Sequence, residues 1–184
     1  MQPYEKVKKN STVLLISAAL LAAAAPPAMA IDGVAVEVGN GDGADMGRVA
    51  LQWDWSKRWF QGESWHLGGY WDLGLGYWQR DVQPGQNGDI TEIGLTPVFR
   101  LQPNDLKGPY AELAVGFHLL SHTSLGEKRF STAFQFGDHV GLGYRFGAKG
   151  AFDVEYRFQH LSNASIKHPN NGINFNQIRL QYHF

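Results

Sequence analysis

The strongest constraint on this chain is a two-residue period that recurs along almost its whole length. Trp65, Leu67, Gly69, Trp71, Leu73, Leu75 and Tyr77 alternate with His66, Gly68, Tyr70, Asp72, Gly74, Gly76 and Trp78. Alternate residues of a β-strand share a face, so such a segment has one apolar and one mixed face. The same rhythm returns at Val34–Val38, Val49–Trp55, Ile93–Leu101, Ala111–Leu119, Val140–Phe146, Phe152–Phe158 and Ile178–Phe184. Pro97 is expected to break the fourth of these locally. Past residue 30 no apolar run is long enough for a transmembrane helix. About eight strands are expected. Between them lie turn-forming stretches: 39–43, 84–88, 103–105 and 147–150.

The second face decides between two all-β architectures. A soluble sandwich or lipocalin-like barrel turns its apolar face inward, whereas a membrane barrel turns it to lipid around a polar interior. Here the second face carries Arg48, Gln52, Asp54, His66, Asp72, Glu112, Arg145, Asp153, Glu155, Arg157, Gln177, Arg179 and Gln181, interspersed with glycines. Paired charges with glycines between them can fill a narrow barrel. A solvated surface would carry more lysine and less glycine. Trp and Tyr recur near strand ends, as in interfacial girdles, and the alternation runs to the final Phe184. The expected fold is an all-β, eight-stranded antiparallel transmembrane β-barrel of the bacterial outer membrane.

The N-terminus reads as an export signal. Lys6, Lys8 and Lys9 precede an almost wholly apolar Val13–Ala25, followed by Pro26-Pro27 and the small-x-small site Ala28-Met29-Ala30. Residues 1–30 are therefore expected to be a cleaved signal peptide and 31–184 a single barrel domain. The chain has 0 Cys, so disulfides cannot rigidify it. A formal net charge of −1 provides no long-range field for nucleic acid.

Chemistry is suggested where the seventh strand ends. His160 and Ser162 continue the apolar face of Phe152, Val154, Tyr156 and Phe158. A base and a hydroxyl on a lipid-facing stripe are costly without a purpose, and together they suit acyl transfer. With both termini on the periplasmic side, this end reaches the outer rim. Asn174, on the same face of the eighth strand, is expected beside it after a short hairpin. None of the other histidines has metal-ligand spacing, and they read as interior or loop residues.

The run His160-Leu161-Ser162-Asn163-Ala164, continued by Pro169-Asn170-Asn171-Gly172-Ile173, resembles the C-terminal motif of the PagL-type outer-membrane lipid A 3-O-deacylases. Trp53-Asp54-Trp55-Ser56-Lys57 and Gly69-Tyr70-Trp71-Asp72 also look like that family. The resemblance implies a serine esterase that removes the 3-linked acyl chain of lipid A. By it, Ser162 is the nucleophile, His160 the general base and Asn170 an oxyanion donor, with Asn163, Ala164 and Ser165 supporting. The chain differs from the family pattern in two places: Asn174 stands where a glutamate can orient the histidine, and Ser165 where glycine is frequent. An asparagine oxygen can orient the ring but carries no counter-charge. No cofactor or metal is implied. The implied partners are lipid A or lipopolysaccharide and outer-membrane lipid, and a homodimer is compatible with the family. Lys167, and Arg58 or Lys57 if they lie at the outer rim, are candidates for meeting lipid A phosphates. Competing readings are a non-catalytic structural or adhesion barrel and an acyltransferase with lipid A as donor.

Overall fold

A computed structural model describes residues 30–184, so the signal-peptide expectation lies outside the described residues apart from Ala30. The chain forms eight long strands: β1 Gly33–Gly41, β2 Ala44–Asp54, β3 Trp65–Gln79, β4 Asp89–Pro103, β5 Gly108–Leu120, β6 Phe134–Phe146, β7 Phe152–Ser162 and β8 Ile173–His183. Each pairs antiparallel with its sequence neighbours, and β1 closes on β8 to complete a barrel. Closure removes every free sheet edge, and inside a bilayer only helices and closed barrels satisfy the whole backbone.

The period-two pattern sets which side chain goes where. Val36, Leu75, Leu113, Leu142 and Leu180 project from the outer wall and are half-exposed or more. An apolar belt this continuous needs a lipid cover. The other parity is buried and charged. Arg48 bonds Glu37 at 2.7 Å and also Asp72, while Arg179 bonds Asp72 at 2.8 Å and also Glu37. Arg157 reaches Glu112 at 2.6 Å and Glu155 at 3.0 Å, and Arg100 reaches Glu112 at 2.9 Å and Asp153 at 3.0 Å. Desolvated charges are tolerable only with such pairing. Gly74 makes the packing possible, since a Cβ there would overlap the Arg48 guanidinium.

Two details sharpen the sequence-based expectations. First, the local break expected at Pro97 is confined to one side of β4, which runs on through it. Its pairing with β3 is unbroken, Trp71 opposing Pro97, while the β5 ladder lapses only at Thr96 and Pro97 and resumes in the same register. Proline lacks one donor, so one side of the ladder is interrupted and the strand persists. Second, the interior is not polar throughout. Towards one rim the inward positions become apolar: Met46, Trp78, Ile90, Leu120, Leu161, Ile173 and Phe175 pack with Leu125 and Phe130 from the β5–β6 connection. At that rim the alternation inverts, with His160, Ser162 and Asn174 outward and Leu161 and Ile173 inward.

The two rims differ. One carries both ends of the described chain, where the Phe184 N–H bonds Asp32 O at 2.9 Å. The 55–64 connection between β2 and β3 lies there too, so Lys57 and Arg58 sit on the rim opposite His160 and cannot share its surroundings. The other rim gathers the β1–β2 turn and the connections 80–88, 121–133 and 163–172. The β1–β2 turn is Asp42-Gly43 with φ of 50° and 77°, the two positive values of a type I′ hairpin, for which Asp-Gly is a preferred pair.

Candidate active site

His160 and Ser162 lie two positions apart at the end of β7, both half-buried on the outer wall. Register places Asn174 of β8 directly opposite His160. Their side chains meet, with His160 Nδ1 2.7 Å from Asn174 Oδ1. An amide oxygen only accepts, so Nδ1 carries the hydrogen and donates, leaving Nε2 as the basic nitrogen. Gly172 continues the register opposite Ser162, and a Cβ on it would lie 2.8 Å from His160 Cε1 and 3.3 Å from Nε2. The basic edge of the ring therefore lies against this glycine. Among the described residues no hydrogen bond joins Ser162 Oγ to His160. Such contacts are often open without substrate and tighten in the complex.

The 163–172 loop is held by its own amides. Asn163 N–H donates to Asn170 Oδ1 at 3.0 Å. Asn163 Nδ2 donates to Phe130 O and Lys167 O, each at 2.8 Å. Asn163 is thus a buried tie whose own N–H is already used. Asn170 keeps its Nδ2 hydrogens free of that bond. Ala164 and Ser165 have φ of 51° and 62°, and Ile166 N–H closes the turn onto Asn163 O at 3.0 Å. Ser165 therefore occupies a left-handed position that glycine fills without strain. Lys167 is exposed on this loop at the site rim.

Three features escaped sequence reasoning. The β5–β6 connection buttresses the loop: Ser131 Oγ donates to Pro169 O at 2.6 Å, and Lys128 Nζ to Gly172 O at 3.2 Å. Gly172 itself is shaped to the His160 ring. Asp42, in the β1–β2 turn, accepts at Oδ2 from Asn174 N–H at 3.0 Å, from Asn174 Nδ2 at 3.2 Å and from Lys128 Nζ at 3.1 Å. Burial alone would raise its carboxyl. The hydrogen bonds from Lys128 and from the Asn174 backbone outweigh this and hold it below the usual aspartate range. The only signal for Asp42 was the barrel expectation itself, which makes first and last strands neighbours.

Among the described residues one group, Glu112, His139 and Glu155, has side-chain atoms close enough to share a metal ion. It lies deep in the barrel, where Arg157 bonds both carboxylates and Arg100 also bonds Glu112. It is remote from β7's outer end and belongs to the structural network.

Residues 45–183 match the family model described as lipid A 3-O-deacylase (PagL). The chain is similar to the lipid A deacylase PagL of Pseudomonas aeruginosa, 34% identical over 148 residues, which are 79% of this chain and 82% of that protein. It is similar to the lipid A deacylase PagL of Bordetella bronchiseptica, 33% identical over 159 residues, 83% of each chain. A crystal structure of the outer membrane enzyme PagL shares the fold with a TM-score of 0.74 at 29% identity, covering 83% of this chain and 99% of that one.

Proposed function

The chain belongs to the lipid A 3-O-deacylase (PagL) family, and on that premise we propose that it hydrolyses the 3-O-linked hydroxyacyl ester of lipid A as a serine esterase, with Ser162 as nucleophile and His160 as general base. It is a lipid A deacylase, a hydrolase of ester-linked acyl chains, and an outer-membrane barrel. The observation that carries the finer reading is the 2.7 Å contact of His160 Nδ1 with Asn174, which leaves Nε2 basic two positions from a hydroxyl.

In this reading the site rim faces the outer leaflet, level with lipid A. Ser162 Oγ attacks the ester carbonyl and gives its proton to His160 Nε2. The imidazolium returns that proton to the departing sugar oxygen as the tetrahedral intermediate collapses. Water, activated by the same histidine, then releases the fatty acid from Ser162. Asn170 Nδ2 and the backbone N–H groups of Ala164 and Ser165 are the donors for the oxyanion, each worth roughly 2.7–4 kcal/mol in comparable sites. The acyl chain lies along the apolar outer wall below the site, past Phe158 and Ile178, and never crosses water.

The test is mass spectrometry of lipid A from cells making the wild type, Ser162→Ala or His160→Ala. The wild type is expected to remove one 3-linked hydroxyacyl chain, and both variants to leave lipid A intact while still folded in the outer membrane. Full activity of Ser162→Ala would overturn the serine mechanism.

A further inference from the structure

A histidine that becomes imidazolium in the transition state is stabilised by a nearby negative charge, and the neutral Asn174 provides none. The charge lies one residue further out. Asn174 receives the ring hydrogen on Oδ1 and donates from Nδ2 to Asp42 Oδ2 at 3.2 Å. We propose that Asp42 is the acidic member of this site, acting on His160 through the Asn174 amide, so that Ser162, His160, Asn174 and Asp42 form a four-residue chain. The inference rests on the serine-esterase reading above and adds a positioning residue to it.

Three observations support the chain. The first is polarity. Turning the Asn174 amide over would set its NH2 against the Nδ1–H of His160 and its oxygen against the Asp42 carboxylate, opposing two donors and two acceptors. Asp42 therefore fixes the amide, the amide fixes the ring tautomer, and Nε2 is kept free for Ser162. The second is rigidity. The carboxylate is clamped by the backbone N–H of Asn174 and by Lys128, whose ammonium also holds Gly172 O. The third is register. Extending the β1–β8 pairing past Asn40 and Asn176 sets Asp42 opposite Asn174, so closing the barrel delivers the carboxylate.

Another acid stands near His160. Asp138 of β6 opposes it across the β6–β7 ladder. The ring, however, gives Nδ1 to the β8 side, and no hydrogen bond joins it to Asp138 among the described residues.

The experiment compares kcat and KM on lipid A vesicles for Asp42→Asn, Asp138→Asn, Asn174→Glu and the Asp42→Asn/Asn174→Glu double variant, with Ser162→Ala as the inactive reference. Folding is verified by the mobility difference between heated and unheated barrel on gels. Asp42→Asn leaves the turn intact, because Asn-Gly also favours type I′. It is expected to lower kcat about tenfold, the lower end of the loss when the hydrogen-bond partner orienting a metal-bound histidine is removed, with KM little changed. Asp138→Asn is expected to cost less. Asn174→Glu is expected to work poorly beside Asp42, where two carboxylates crowd, and to restore kcat once Asp42 is Asn. That reversal is a signature a merely structural turn residue would not produce. Asp42→Asn within twofold of wild type, a larger loss from Asp138→Asn, or a double variant no better than Asp42→Asn would overturn the role of Asp42 while the serine mechanism stands. An active Ser162→Ala would overturn both.

Discussion

The His160 ring lies against the α-carbon of Gly172, so close that a methyl group there would sit 2.8 Å from Cε1. Gly172 also has φ +60°, which disfavours any L side chain. Gly172→Ala is expected to fold, with a strain of about 1–2 kcal/mol, and to push the ring off its position beside Ser162. Turnover should fall tenfold or more with KM little affected. Steady-state kinetics on folded protein checks this.

The proposed mechanism gives Asn170 a second job beside the one the structure shows, and substitutions can separate them. Its oxygen accepts from Asn163 N–H, and its NH2 is the proposed oxyanion donor. Asn170→Asp keeps the acceptor and replaces the donor by a negative oxygen. It should retain the loop and lose on the order of 10²–10³ in kcat. Asn170→Ala should lose a similar factor and loosen the loop as well, seen as faster amide exchange at Asn163.

Ser165 sits at φ 62°. The left-handed region costs a non-glycine residue about 1–2 kcal/mol, and glycine returns about 0.5–1 kcal/mol of that through greater unfolded-state freedom. Ser165→Gly should therefore stabilise the barrel by a net of about 0.5–1 kcal/mol. Urea unfolding in lipid vesicles would register the difference.

The barrel interior should be intolerant of single charge deletions. Arg179→Met leaves Glu37 and Asp72 short of one partner in a fully buried site. A loss of about 3–5 kcal/mol is expected. Replacing Asp72 by Asn in the same molecule, with Glu37 kept to pair Arg48, should recover part of it, because the stranded charge causes more of the cost than the missing attraction.

The Asp42 clamp has a defined pH dependence. Its carboxyl is held below the ordinary aspartate range in the folded protein. A lowered folded value means that the stability it contributes is fully present above the unfolded value of about 3.9 and is lost as pH falls through the lower folded one. The difference in thermal midpoint between wild type and Asp42→Asn should hold steady above pH of about 5 and shrink below about 4.

Much of this architecture was legible in one dimension. Strand parity follows from side-chain period alone, so Leu142 and Leu180 outward and Arg157 and Arg179 inward could be read directly. His160 and Ser162 on the outer wall and Asn174 beside them follow from the same parity and a short hairpin. Pro97 marks a local break in the sequence, and the structure confines that break to the β5 side, because a missing N–H interrupts only one ladder and leaves the strand whole. The apolar cap of Trp78, Leu161 and Phe175 does not follow from the period, which assigns a side chain to a face without fixing the polarity of that face at the strand ends. At the site rim the outward positions no longer carry the apolar set, and apolar residues fill the interior instead.

The sequence by itself determined the strands, the face each residue takes and the pairing of His160 with Asn174, because these depend on the two-residue period and on contacts between neighbouring strands. Only the tertiary structure decided that Asp42 meets Asn174 across 132 residues and that Lys128 braces both that carboxylate and Gly172. Those relations require the register at which β1 closes on β8 and the course of the rim connections. They arise from packing the whole ring of strands, and no local run of residues encodes them.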